Sequence, residues 1–172
     1  MNFKHLLAMT LVAGIALTGC SSKNDQAPVA PETELTTPEE KVETGFTGEA
    51  VSRTPVGAES EEVIVTTITY ENGTPKNVMI DINTPKGSKR ELVVTGQYDM
   101  KNDGLTWSEQ VDALQAFIVE NNFDLTKVTL TDEAGHTDAV TGVSIAIGSY
   151  LPIIESLLTS VEDGTYVAPT FN

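Results

Sequence analysis

The chain has 172 residues, with 25 acidic side chains against 10 basic ones and a formal net charge of −15. So acidic a surface argues against nucleic acid, and against anionic lipid headgroups, as direct ligands. The single cysteine, Cys20, excludes any intrachain disulfide, so the fold must rest on its apolar core alone.

Residues 1–19 begin with one basic residue, Lys4, and continue into an uncharged apolar run from Leu6 to Leu17. The run is too short to span a bilayer and has the shape of a signal-peptide core. It closes on Leu17-Thr18-Gly19-Cys20, the pattern of a bacterial lipobox, followed by Ser21 and Ser22. The expected mature chain starts at a lipidated Cys20 on the extracytoplasmic face of the cell membrane, since two acyl chains suffice for stable anchoring. Residues 20–43 then carry Pro28, Pro31, Pro38, Glu32, Glu34, Glu39 and Glu40 with no apolar periodicity. Such a segment cannot bury enough apolar surface to fold and reads as a disordered acidic tether. About twenty flexible residues reach on the order of 25 Å, which would hold a domain just off the membrane.

The folded part is expected over residues 44–162, a common size for one domain, with 163–172 as a C-terminal tail. Residues 61–70 and 76–82 are rich in β-branched side chains and read as strands. Between them, Glu71-Asn72-Gly73-Thr74-Pro75 carries turn chemistry, so the pair reads as a β-hairpin. The basic stretch 84–90, with Lys86, Lys89 and Arg90, is either a loop that meets an anionic group or a solvated turn before a strand at 91–95. Thr106 and Glu109 form a capping-box pair. Trp107, Val111, Leu114 and Ile118 then share one helical face, and the helix is expected to end near Asn121-Asn122.

Residues 127–131 read as a strand, and 132–136 as a turn. In the stretch that follows, a period of two sets Thr141, Val143, Ile145 and Ile147 on a β-branched face. Gly142, Ser144, Ala146 and Gly148 fall on an opposite face with almost no side-chain bulk. A flat molecule or a second element could approach that backbone closely. Residues 150–158 read as a helix with Ser149 as N-cap and Pro152 in its first turn. His136 is the only histidine after the leader, and no second His, Cys or tight carboxylate cluster accompanies it, so no metal site is expected. The expected fold class is α+β, a small antiparallel β-sheet with helices packed against it.

Asp138-Ala139-Val140-Thr141-Gly142-Val143-Ser144 resembles the attachment motif of the FMN-binding domain family. In that family Asp, two variable residues, Ser or Thr, Gly, Ala, then Thr or Ser marks the hydroxyl that carries FMN through its phosphate. The resemblance assigns the flavin to Ser144 and the other fixed positions to Asp138, Thr141 and Gly142. Val143 departs from the usual Ala, and Ser144 is the less common choice over Thr. Tyr98-Asp99-Met100-Lys101 ahead of Trp107-Ser108-Glu109-Gln110 is similar to a segment of the FMN-binding lipoproteins of Gram-positive bacteria, whose Tyr-x-Met-Lys loop lies near the flavin. Tyr98, Met100 and Lys101 thereby become candidate cofactor contacts. Tyr and Met suit an isoalloxazine face and Lys suits its electron-rich edge or the phosphate, although Met100 and Trp107 could equally fill the core.

The resemblance implies a membrane-anchored electron carrier rather than an enzyme with its own substrate. Its partners would be a flavin transferase that uses FAD and Mg²⁺, a membrane electron donor and an external electron acceptor. Two other readings stand beside it. Val143 favours a non-redox binding or structural lipoprotein whose flavin site has decayed. The segment around Leu11 to Gly19 could also serve, once cleaved, as a signalling peptide.

Overall fold

A computed structural model describes residues 45–102 and 104–170 of the chain. The expected leader, the lipidated Cys20 and the tether lie outside the described residues. The architecture is the α+β one expected from the sequence. Strands β1 (Gly48–Pro55), β2 (Val63–Glu71), β3 (Thr74–Thr84) and β4 (Gly87–Ser88) form an antiparallel sheet in chain order. Helix α1 (Lys89–Val94) follows directly, then a two-stranded ribbon of β5 (Lys101–Asn102) and β6 (Leu105–Thr106). Helix α2 (Trp107–Glu120), a 3₁₀ turn at Leu125–Lys127 and helix α3 (Tyr150–Glu162) complete the described elements.

Strict alternation along β2 buries Ile64, Thr66, Ile68 and Tyr70 and leaves their neighbours half-exposed. Register sets Ile68 between Ala50 and Val78, and Ile64 opposite Ile82, so one face of the sheet is continuous apolar core. Helix α3 contacts β1 and β2, while α2 and α1 contact β3. The hairpin turn is made by Asn72 and Gly73, both at positive φ (49° and 77°). That pair of angles gives the handedness that right-twisted strands require.

The short β4 covers only Asn83 and Thr84 of the β3 edge. Further along, the backbone of Ile80 turns to side chains instead. Its N–H donates to Gln115 Oε1 (2.6 Å) and its carbonyl accepts from Arg90 Nε (2.9 Å). Arg90 also bonds Asp112 Oδ1 (2.8 Å) and Gln115 Oε1 (3.0 Å). An edge that could recruit another strand is thereby closed by α1 and α2.

Four local expectations are corrected. Residues 91–95 are not a strand, because α1 is nucleated there. Ser88 Oγ accepts from Glu91 N, and Asp81 accepts from the Ser88 hydroxyl and from Arg90 N. This capping outweighs the weak helix propensity of Val93 and Val94. The basic stretch before it therefore opens a helix, with Lys86 left in an exposed turn. Residues 127–131 are not a strand either. Asp124 caps the 3₁₀ turn through Thr126 N (3.1 Å), and only Leu130 bridges to Thr137.

The stretch 137–148 is a succession of turns rather than an alternating strand. Its buried residues are Thr137, Val140, Val143 and Ile147, continuing to Tyr150, while Thr141 is exposed and Ile145 half-buried. Finally, the segment after α3 is tied back to the sheet. The Tyr166 hydroxyl accepts from Val51 N (2.8 Å) at the outer edge of β1, and its ring meets Phe46 edge-on at 5.7 Å.

Candidate functional site

Two stretches far apart in sequence meet at the first turn of α2. Thr106 caps the helix. Its hydroxyl accepts from Glu109 N, while Glu109 Oε2 accepts from Thr106 N and from the Thr106 hydroxyl, each at 2.7 Å. These bonds, the backbone one first, hold the Glu109 carboxyl below its ordinary range, with Lys101 adding to the effect.

One residue further on, Gln110 points into the interior and is fully buried. Its Nε2 donates to the Leu105 carbonyl (3.2 Å). Its Oε1 accepts from Ser144 N (2.9 Å), the Ser144 hydroxyl (3.1 Å) and Ile145 N (3.1 Å). A buried amide must satisfy both its ends, and here it does so by clasping the loop that carries Ser144.

That loop turns at Gly142, whose φ of +83° disfavours any other residue, and a Cβ there would meet Leu105 Cδ1 at 3.0 Å. Leu105 and Gly142 therefore pack with no space between them. Val143 faces the opposite way, into the core, and Ser144 remains half-exposed. Upstream, Asp132 Oδ1 accepts from Gly135 N and His136 N, and Oδ2 lies 2.7 Å from His136 Nδ1. The turn so formed sits directly on the start of α3. Gly135 O accepts from Ile147 N (2.8 Å), and a Cβ on Gly135 would lie 2.7 Å from Gly148 N.

At Trp107, the first residue of α2, stands a cation held by aromatic rings. Lys89 Nζ lies 4.4 Å from the Tyr98 ring centroid and 5.0 Å from that of Trp107. The Arg90 guanidinium is 6.0 Å from the Trp107 ring. Such contacts hold an ammonium group in place without a carboxylate partner. Tyr150, at the start of α3, completes the group. Burial pushes its phenol up, the Trp107 indole works the other way, and Tyr98 adds to the rise.

Of the residues singled out from the sequence, Ser144, Gly142 and Tyr98 are gathered around the first turn of α2 by these contacts. Met100 and Tyr98 are half-buried and pack against the core cluster. Lys101 is exposed and pairs with Thr106 across the ribbon. Asp138 and Thr141 are exposed on the loop surface. Trp107 is buried in the core, as its helical spacing indicates.

Gln110 is the member sequence reasoning missed, and a glutamine among the apolar residues of an amphipathic face was the available signal. Lys89 entered only within the basic stretch 84–90, where either a loop for an anionic group or a solvated turn was expected. Among the described residues no group of three His, Cys, Asp or Glu side chains is gathered to hold a metal ion.

No protein-family model matches the chain, and no curated protein matches it. Among solved structures it is similar to the solution NMR structure of a Clostridium thermocellum protein determined as a structural genomics target. The two are 24% identical, with 73% of this chain and 97% of the other covered and a TM-score of 0.49.

Proposed function

We propose that the chain is a lipid-anchored extracytoplasmic flavoprotein that carries FMN on Ser144 and passes electrons from a membrane donor to an external acceptor. The observation that carries this reading is the half-exposed Ser144 on a loop clasped by the buried Gln110, on the same first turn of α2 whose Trp107 meets Lys89 and, through it, Tyr98. The residues present suit the group. A hydroxyl that donates its proton to Gln110 leaves its lone pairs free toward solvent. Gly142 keeps the backbone beside it free of a side chain. Tyr98 offers an aromatic face, and Lys89 and Lys101 offer positive charge in a protein of strongly negative balance.

Attachment is a phosphoryl transfer. Ser144 would supply the attacking oxygen, displacing AMP from the phosphoanhydride of FAD, and its hydroxyl proton would pass to the transferase. The bound flavin supplies reversible electron transfer, and the chain supplies orientation and polarity around it. Covalent attachment suits a protein outside the cell, where a loosely held cofactor would be diluted away; tethering replaces bulk concentration by a high local one. The Leu17-Thr18-Gly19-Cys20 signature supports the membrane location.

Val143 replaces the smaller residue of the attachment motif, which would favour a decayed site if its branches crowded the hydroxyl. Its side chain belongs to the core instead. The test is flavin fluorescence that stays with the polypeptide through denaturation after co-expression with a flavin transferase. A folded chain with no retained fluorescence would leave the non-redox lipoprotein reading in its place.

A further inference from the structure

We infer that Gln110 is the positioning residue of the attachment site: it holds Ser144 in the one arrangement from which its hydroxyl can be loaded. This rests on the flavin reading of Ser144. An amide oxygen has two lone pairs, and Gln110 Oε1 accepts from three donors, the N–H groups of Ser144 and Ile145 and the Ser144 hydroxyl. Esterification removes the hydroxyl proton and with it one of the three. The two backbone donors remain, so the fully buried Gln110 is still satisfied once the flavin is attached. Loading therefore costs the loop none of its anchoring to α2.

The other end of the same amide fixes the approach. Nε2 donates to the carbonyl of Leu105, whose side chain is packed against Gly142. One side chain thus joins the ribbon that follows Tyr98 and contains Lys101 to the loop that carries Ser144. No apolar residue could hold two loop amides at once, and a shorter Asn could not reach both the ribbon and the loop. Gln110 itself does not touch the incoming phosphorus; it acts through Ser144.

The test uses the full chain, FAD and a flavin transferase, with two readouts: the rate of flavin loading, and hydrogen exchange at the Ser144 and Ile145 amides in the unloaded protein. Gln110→Met keeps the length and removes both polar contacts. Exchange at the two loop amides is expected to rise at least about tenfold, with amides of β2 unchanged. Loading should slow about tenfold or more, while the KM for FAD, which the transferase binds, stays as it is. Gln110→Glu keeps an acceptor for the loop amides but loses the donor to the Leu105 carbonyl, so it is expected to restore much of the amide protection, with loading between that of Gln110→Met and wild type.

A Gln110→Met chain that loads at the wild-type rate would overturn the inference. If that variant fails to fold, Gln110→Glu decides, and a folded Glu variant with unprotected loop amides would overturn it as well. Wild-type protein that never takes up flavin would instead sink the proposed function, and the loading role of Gln110 with it. Loaded wild type beside an unaffected Gln110→Met would sink the positioning role alone.

Discussion

At the scale of single residues, the core contains two polar groups left without a hydrogen bond. Thr66 Oγ1 and the Tyr70 hydroxyl are buried and find no partner among the described residues. Burial pushes the Tyr70 phenol up to about 12 from its ordinary 10.0. A raised acid stabilises the fold fully below its unfolded value, and that contribution is lost as pH climbs from about 10 toward 12. Tyr70→Phe is expected to be neutral or stabilising by up to about 1 kcal/mol at pH 7. It should also flatten the alkaline limb of a stability–pH curve taken by chemical denaturation.

Glu109 works with the opposite sign. Its carboxyl is lowered by Thr106, so its contribution is present above its ordinary value near 4.5 and is lost as pH falls through the lower folded value. Thermal melts of Glu109→Gln between pH 7 and pH 3 should show a shallower acid decline than wild type. An unchanged decline would mean the capping box is not what titrates. The capping box was legible from Thr106 and Glu109 alone, because both partners lie within one helical turn. The role of Gln110 was not, because its partners are 34 and 35 residues away and only the folded chain brings them together.

At the scale of elements, α2 and the β2–β3 hairpin were legible because each carries its own periodicity and its own end signals, and α3 through its periodicity, since Ser149 precedes it without a side-chain capping bond. The region between α2 and α3 was misread for a physical reason. Val143, Ile145 and Ile147 mimic strand alternation, but two glycines decide the path. At Gly135, φ is +90° and the backbone lies against Gly148. A side chain at either position would push the two segments apart, so no ladder forms and the apolar residues reach the core at wider spacing. Gly135→Ala is accordingly expected to destabilise the protein by about 2–4 kcal/mol, from positive-φ strain plus a backbone clash. Equilibrium urea unfolding checks it. A cost well under about 1 kcal/mol would show that the crossing can open cheaply. The strand β1 and the return of Tyr166 were also missed, since an exposed edge strand of alternating small and polar residues carries a weak pattern.

At the scale of the whole molecule, α2 and α3 pack on the sheet while α1 closes its β3 edge, and the candidate site forms where α1, the β5–β6 ribbon, α2 and the loop before α3 converge. The α+β class followed from the sequence because the order of strong elements allows few other ways to bury their apolar faces. The site's chemistry was only half legible. The hydroxyl and its motif stand in the sequence, whereas the clasp, the ring-bound lysine and the inward turn of Val143 are properties of packing. Together they support the central proposal, that Ser144 is a built attachment point and not an incidental surface serine. Ser144→Ala keeps both backbone donors to Gln110, so the variant should fold and melt like wild type.

The decisive measurement is the intact mass of the wild-type chain and of Ser144→Ala, each purified with and without a co-expressed flavin transferase. The account predicts the mass of one FMN phosphoester on wild type with the transferase and none on the variant. No added mass on a folded wild-type chain, or the same added mass on Ser144→Ala, would contradict it.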